Sequence, residues 1–162
     1  MSGLFVAVEG PHGVGKSTVI AEAARILGDD DGLAVHPTKE PSKTVLGEAI
    51  RALEVSLPPL ALAYACAADR LDHVARDVEP ALAQGSYVLS DRYVPSSLVL
   101  QRLDRLKLEF VWEINKLARV PDLTVYLDDD EETISYRLAD RGQRSRFERP
   151  EALPREGALY RE

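Results

Sequence analysis

The fold of this chain is decided by one stretch near its N-terminus, Phe5-Val6-Ala7-Val8-Glu9-Gly10-Pro11-His12-Gly13-Val14-Gly15-Lys16-Ser17-Thr18. It reads as a short apolar strand, a glycine-rich turn and the start of a helix. Residues 10–17 match the pattern G-x-x-x-x-G-K-[ST], in which backbone N–H groups converge on phosphate oxygens and a Cβ would block the backbone angles required. The helix adds its positive N-terminal end. Lys16 supplies a cation for the β- and γ-phosphates, and Ser17 supplies a hydroxyl for Mg²⁺. Residues 10–18 are therefore predicted to bind a nucleoside polyphosphate such as ATP.

Composition and charge exclude several classes of protein. A length of 162 residues suits one domain, residues 1–162, and a net charge of −7 argues against non-specific binding of nucleic acid. The sequence has no run of about eighteen apolar residues and no basic region followed by an apolar block at the N-terminus, so neither a membrane span nor a secretory signal is predicted. The single cysteine, Cys66, can form no internal disulfide, which fits a reducing cytoplasm.

The rest of the chain alternates strands with helices. Strands are predicted at residues 5–8, 33–36, 87–90 and 122–127, and helices at 16–27, 44–53, 60–78, 98–117 and 131–140. Such alternation implies right-handed crossovers, and hence an α/β fold with a doubly wound parallel sheet and helices on both faces. Residues 122–127 are apolar enough to be a strand buried on both faces, and Pro80 should end or bend the long helix.

Two loops should meet the phosphate loop at the carboxyl ends of the strands, where ligands of such folds bind. The first is Pro37-Thr38-Lys39-Glu40-Pro41, where two prolines are expected to bar regular structure. The second is Asp91-Arg92-Tyr93, after the third strand. Asp91 could bind Mg²⁺, or it could cap the next helix; Arg92 can present a planar fork to a phosphate monoester.

Other charged residues allow two interpretations. Arg70 lies mid-helix, and by itself it would be read as a surface ion pair. Arg137, Arg141, Arg144 and Arg146 form a cluster that is either a solvated surface or a lid that closes over the transferring phosphate. The three histidines, His12, His36 and His73, share no spacing typical of metal ligands, so no zinc site is predicted.

Several stretches together resemble one known family. They are Val8-Glu9-Gly10 with Gly13-Val14-Gly15-Lys16-Ser17, Thr38-Lys39-Glu40-Pro41, Ala67-Ala68-Asp69-Arg70, Ser90-Asp91-Arg92-Tyr93-Val94 with Ser96-Ser97, Pro121-Asp122-Leu123-Thr124-Val125-Tyr126-Leu127-Asp128, and Arg146-Phe147-Glu148. In this order they are similar to thymidylate kinase, a P-loop nucleoside monophosphate kinase. The strand end Asp-Arg-Tyr and the stretch Pro-Asp-Leu-Thr-Val-Tyr-Leu-Asp make the resemblance specific.

The resemblance implies Mg²⁺-dependent transfer of phosphate from ATP to dTMP, in a homodimer packed through helices such as the one that bears Arg70. It further implies a lid at about residues 141–151. Because the phosphate loop carries no arginine, the lid should supply catalytic cations. The implied catalytic residues are Lys16, Arg92, Arg141, Arg144 and Arg146. The implied acceptor-binding residues are Glu40, Arg70, Arg92, Ser96, Ser97 and Gln101, and the implied metal ligands are Ser17 and Asp91.

The sequence departs from the family pattern at three places. Relatives usually carry a carboxylate where this chain has His12, and often a tyrosine or similar polar group where it has Leu100. They also continue with another strand and helix, so the C-terminal part is expected to be short or missing. These departures leave two alternatives open: a kinase for another nucleotide, nucleoside or small acceptor, and a nucleotide-binding protein with little turnover.

Overall fold

The computed structural model describes residues 3–139, 145–148 and 152–162. Its centre is a four-stranded parallel sheet in the order β2-β3-β1-β4. The strands are β1 (Leu4–Glu9), β2 (Val35–Lys39), β3 (Tyr87–Asp91) and β4 (Leu123–Tyr126). Because every pair is parallel, the carboxyl ends of all four strands lie at one edge of the sheet. The predicted parallel sheet is confirmed.

Helices connect the strands and cover both faces of the sheet. They are α1 (Lys16–Arg25), α2 (Val45–Leu53), α3 (Pro59–His73), α4 (Glu79–Ala83), α5 (Val94–Leu103), α6 (Leu108–Asn115), α7 (Glu131–Ala139) and α8 (Leu153–Arg161). In the described part of the chain, none of them combines the length and the apolar character that crossing a bilayer requires.

Alternate residues of β1 pack into two separate apolar clusters. Phe5 and Ala7 face the helical segment 74–82, whereas Val6 and Val8 face Ile20 of α1. A strand with apolar side chains on both faces needs a layer of helices on each, because otherwise one row would stay in water. The predicted doubly wound α/β class is confirmed.

Two predictions about strands were wrong. The segment after residue 36 is not irregular, since β2 continues through Pro37 to Lys39. Proline is tolerated there because β2 is an edge strand, and edge strands can lack a ladder donor on their open side. The fourth strand is not buried on both faces. β4 is the opposite edge of the sheet, and Leu123 is 51% exposed.

Two helix predictions also need correction. The helix predicted at 98–117 is two helices, α5 and α6, separated at residues 104–107, where Arg105 adopts a left-handed φ of 67° that a helix cannot continue. The long helix continues past Pro80 to Ala83, because the segment Val74–Val78 widens into a π-helical turn just before the proline.

Candidate active site

The phosphate loop, defined as residues 10–17, joins β1 to α1 and needs glycine for two reasons. Gly10 and Gly13 have φ values of 142° and 81°, which L side chains rarely adopt. A Cβ at Gly10 would lie 2.3 Å from the carbonyl oxygen of Leu127, and one at Gly13 would lie 2.9 Å from Leu138 Cγ of α7. The loop is thus both sharply turned and tightly packed against Leu127 and α7.

The Lys16 ammonium folds back over this loop. Its Nζ donates to the carbonyl oxygens of Gly10 and Pro11, each at 2.8 Å. Burial, with the nearby positive charge of Arg92, lowers the pKa of Lys16 to about 7. A bound phosphate would reverse this effect, because an adjacent negative charge favours the protonated amine.

Ser17 and Asp91 meet at the end of the sheet and could hold a metal ion. The Ser17 hydroxyl donates to Asp91 Oδ2 at 2.5 Å, and Asp91 pairs in register with Val8 of β1. Hydroxyl and carboxylate oxygens fit Mg²⁺, which often takes few protein ligands and completes its shell with phosphate oxygens and water. The described residues contain no cluster of three or more His, Cys, Asp or Glu that could hold a metal.

Glu9, which was not predicted as a site residue, caps the start of α5, the role that was considered as an alternative for Asp91. Its buried carboxylate accepts from the backbone N–H groups of Tyr93 (2.6 Å) and Ser96 (3.2 Å) at the start of α5, and from the Ser96 hydroxyl (2.6 Å). Burial raises the pKa of Glu9, although the hydrogen bond from Ser96 and the charge of Arg92 oppose this. A carboxylate at the end of an otherwise apolar strand is the signal that could have indicated it.

Arg92 is held at the junction of two cavities. It adopts a left-handed φ of 75°, and its guanidinium donates to the Ser96 hydroxyl at 3.0 Å and to the Tyr160 hydroxyl at 3.2 Å. It lines one cavity with Lys16 and Ser17 of the phosphate loop. It also lines a second one, here called the acceptor cavity, whose wall is formed by Glu40, Pro41, Cys66, Asp69, Arg70, Arg92, Tyr93, Ser96, Ser97, Leu100 and Gln101. One arginine therefore faces both candidate binding sites.

Arg70 is a buried member of the acceptor cavity, and the surface ion pair considered for it is wrong. Its Nε donates to Glu40 Oε2 at 2.8 Å, with both side chains almost fully buried. The remaining N–H groups reach the Asn115 side chain, the Tyr93 carbonyl oxygen at 3.1 Å and the Ser97 hydroxyl at 3.0 Å. This network fixes the guanidinium plane in one orientation.

Gln101 adds an unused acceptor to the same cavity. Its side chain is 3% exposed, and its Oε1 has no hydrogen-bond partner among the residues that the structure describes. A buried amide oxygen without a donor costs free energy unless a ligand supplies one. Leu100, the position at which relatives often carry a tyrosine or similar polar group, lines the same cavity and offers no hydrogen bond.

His12 is buried against α8 instead of pointing to solvent. Its Nδ1 lies 2.8 Å from Glu156 Oε1, which also accepts from the His12 backbone N–H at 3.2 Å. Burial and the charge of Arg92 lower the pKa of His12, although Glu156 opposes them. The imidazole is therefore neutral, its Nδ1–H donates to the carboxylate, and the loop is tied to α8.

α8 supplies two site residues that the sequence analysis missed. Besides Glu156, it places the Tyr160 hydroxyl 2.9 Å from Ser96 Oγ and 3.2 Å from Glu9 Oε2. The two side chains lie four residues apart, so they share one face of the helix. That spacing is the only signal for them in the sequence.

The arginine cluster divides between described and undescribed residues. Arg141, Arg144 and most of the lid predicted at 141–151 lie outside the described residues. The Arg146 guanidinium donates to the carbonyl oxygens of Glu54 (2.9 Å) and Leu57 (2.8 Å) and to Asp104 Oδ1 (3.0 Å). Arg137 instead reaches the phosphate loop, where its guanidinium donates to the Val14 carbonyl oxygen at 3.2 Å.

Comparison with known proteins identifies the relatives of this chain. The family model for thymidylate kinase matches residues 8–158. A probable thymidylate kinase of Caldivirga maquilingensis is 39% identical over 90% of this chain and 73% of its own length. A thymidylate kinase of Leifsonia xyli subsp. xyli is 44% identical over 93% and 74%, and a probable one of Pyrobaculum calidifontis is 36% identical over 97% and 80%. Together with the phosphate loop and the paired cavities, these matches show that the chain belongs to the thymidylate kinase family.

Proposed function

We propose that this protein transfers the γ-phosphoryl group of ATP to the phosphate of dTMP. The observation that carries the proposal is the position of Arg92, which lines both the phosphate-loop cavity and the acceptor cavity. Phosphoryl transfer requires two phosphates to be brought end to end with their charge neutralised, and a shared arginine does both. The names of the relatives point to the same reaction.

Some of the described residues neutralise phosphate charge, and others orient the two substrates. The phosphate loop and Lys16 bind the polyphosphate, and the planar fork of Arg92 orients the acceptor phosphate. Mg²⁺ would be held by Ser17 and Asp91, and when bound it neutralises charge on the phosphate oxygens. His12 contributes indirectly, because its pairing with Glu156 holds the loop against α8.

The acceptor cavity selects the base by hydrogen bonding. We assign Gln101 Oε1, which has no partner among the described residues, to a ring N–H of the pyrimidine, a donor that would satisfy it. Ser97 and the Glu40–Arg70 pair form the polar wall beside it. The buried His12–Glu156 pair and the apolar Leu100 favour a second candidate, a kinase for another small nucleotide, because both change the groups offered to the sugar.

The test is an acceptor panel with coupled detection of ADP release. Wild-type protein should phosphorylate dTMP faster than dUMP, dCMP or a ribonucleotide. Arg92→Ala should raise the KM for dTMP much more than the KM for ATP, since a charge-assisted hydrogen bond is worth about 1.5–3 kcal/mol, or roughly 10- to 150-fold. Arg102→Ala is the matched control, because that arginine pairs with the exposed Glu162. ATP and dTMP binding without turnover would instead support the non-catalytic alternative.

Assembly, lid and location extend the proposal. An exposed apolar stripe on α3, formed by Leu60, Tyr64 and Leu71, is proposed to pack against a second copy of this chain.

The predicted segment 141–151, with Arg141 and Arg144, is proposed as a lid that brings cations to the transferring phosphate. A cytoplasmic location fits the lone free Cys66 and the substrates.

A further inference from the structure

A buried hydrogen-bonded chain runs from the surface to the acceptor cavity and is not used by the mechanism above. Its outer end is half-exposed His36, whose Nε2 lies 2.8 Å from Asp77 Oδ1. The Thr38 hydroxyl donates to the other oxygen, Asp77 Oδ2, at 2.8 Å and lies 2.7 Å from His73 Nε2. His73 Nδ1 in turn lies 3.2 Å from Glu40 Oε1. His73 is 1% exposed, and its Nε2 also lies 3.4 Å from Asp77 Oδ2.

Counting protons along this chain fixes the charge of His73. A threonine hydroxyl has one hydrogen, and that of Thr38 is donated to Asp77, so its oxygen must accept from Nε2–H of His73. The opposite nitrogen, Nδ1, faces Glu40, a carboxylate that already pairs with Arg70 and has only lone pairs to offer. Both ring nitrogens therefore carry hydrogens, and His73 is an imidazolium.

The surrounding charges agree with that assignment. Burial disfavours the charged ring, but the hydrogen bond and charge of Glu40, with the charges of Asp77 and Asp69, outweigh it and raise the pKa of His73. The other oxygen of Glu40, Oε2, accepts from Arg70, and the other oxygen of Asp77, Oδ1, lies next to His36 Nε2. Three carboxylates thus face one buried histidine from β2–α2, from α3 and from the π-helical turn.

Glu40 links this histidine to the acceptor. One of its oxygens is held by His73 and the other by Arg70 Nε, whose guanidinium also contacts Ser97 in the acceptor cavity. We propose that His73 is a positioning residue for the acceptor nucleotide, holding Glu40, and through it Arg70, in the orientation that binds dTMP. This inference rests on the proposed function. A neutral His73 would have a hydrogen on only one ring nitrogen. The other nitrogen would present a lone pair to Glu40 or to Thr38, and the hydrogen bond to that residue would be lost.

The consequence is a dependence of acceptor binding on pH. As the pH rises through the raised pKa of His73, the imidazolium is lost and the dissociation constant for dTMP increases. ATP should be less affected, because Arg70, through which Glu40 acts, lines the acceptor cavity and is not among the described residues that line the phosphate-loop cavity, although Glu40 itself lines both. The two substrates are therefore expected to respond differently.

The variant that tests the inference is His73→Gln, which keeps an amide donor of similar reach but cannot carry charge. We expect the dissociation constant for dTMP, measured by calorimetry between about pH 6 and about pH 9, to rise at least roughly fivefold at the acid end and to lose the part of its pH dependence that titration of His73 causes. The second ionisation of the dTMP phosphate, with a pKa of about 6, affects both proteins alike. The dissociation constant for ATP should change less than about twofold. His36→Gln is the matched control, because His36 contacts the same Asp77 but not Glu40. Equal effects on both ligands, or none on dTMP, would overturn the inference.

A second measurement needs no substrate. Nitrogen-detected NMR of the free protein should show both ring nitrogens of His73 protonated at about pH 7, and Asp77→Asn should move the titration midpoint to lower pH, since it removes one facing carboxylate. A neutral ring at that pH, or a dTMP affinity with the same pH profile in wild type and His73→Gln, overturns the inference alone. Wild-type protein that binds no nucleoside monophosphate overturns the proposed function and the inference together.

Discussion

Single residues in this protein take their roles from burial more than from residue type. Lys16 is a lysine with a pKa lowered to about 7, and Glu9 is a carboxylate whose burial raises its pKa at the end of an apolar strand. Arg70 would be ordinary on a surface but is locked by buried partners. In each case the removal of water makes an electrostatic interaction strong enough to matter for binding.

Replacing Lys16 tests the phosphate loop. Lys16→Ala removes a cation whose greatest use is in the transition state, so we expect kcat to fall by about a hundredfold or more while circular dichroism stays unchanged. Lys116→Ala is the matched control, because its ammonium pairs with the exposed Glu113. Turnover by the Lys16 variant near that of the control would contradict the assignment.

His12 gives a prediction about stability and pH. Its pKa is lowered in the folded protein, so the unfolded chain binds a proton more readily. The contribution of His12 to the free energy of unfolding is therefore complete above its ordinary pKa of about 6.5 and is lost as the pH falls toward the folded value. Urea titrations should show this acid-side loss in wild type and a smaller one in His12→Gln. An identical pH profile in the two proteins would argue that Glu156 keeps no neutral imidazole beside it.

At the scale of elements, α8 and the segment 145–148 explain what the arginine-rich region does. α8 closes over the phosphate loop through Glu156 and reaches Arg92 through Tyr160. Arg146 ties its own segment to the end of α2 and to the turn after α5. The two attachments lie on either side of residues 149–151, near the end of the predicted lid.

Alanine substitutions separate anchoring from catalysis within this region. Arg146→Ala would leave two carbonyl oxygens and Asp104 without this guanidinium, so we expect a loss of about 1–3 kcal/mol in the free energy of unfolding. Arg141→Ala and Arg144→Ala should lower kcat with little change in stability. Denaturant titration and steady-state kinetics on the three variants distinguish the roles. A kcat loss confined to Arg146→Ala would instead support the predicted role of Arg146 as the catalytic cation.

At the scale of the whole molecule, the proposed dimer requires an exposed apolar surface. Leu60, Tyr64 and Leu71 follow one side of α3, and Tyr64 is 53% exposed although its ring packs edge-on against Phe110 at 5.6 Å. A stripe of this kind next to helices that line the acceptor cavity would couple assembly to that cavity. The outer edge of β4 is a second exposed surface, with Leu123 facing solvent.

Light scattering after size exclusion tests the proposed dimer. Tyr64→Glu should shift the protein to the monomer, because a carboxylate in an apolar interface must be desolvated without a partner. Tyr136→Glu is the matched control: Tyr136 is 81% exposed on α7 and lies outside the α3 stripe. A wild-type protein that is monomeric, or a variant that still dimerises, would contradict the use of this face.

Much of the fold and the loop could be read from local pattern. The stretch 5–18 required a strand, a glycine turn and a helix, because its periodicity and its glycines permit little else. Alternation of strands and helices then implied the parallel sheet, and the parallel sheet implied that residues 10–17, 38–41 and 91–93 would lie at one edge. These inferences need only neighbours in sequence and the handedness of the chain.

The remaining features, namely edge position and long-range side-chain pairing, were decided by tertiary structure alone. They depend on which side chains are packed together and shielded from water. Edge position made Pro37 acceptable in β2 and left β4 exposed. Pro37 is consistent with an edge strand, but it did not show that the strand would continue to Lys39. The partnership of His12 with Glu156 spans 144 residues, and the capping of α5 by Glu9 spans more than 80. A sequence pattern reports what a residue can bind, whereas burial selects the one partner that it does bind.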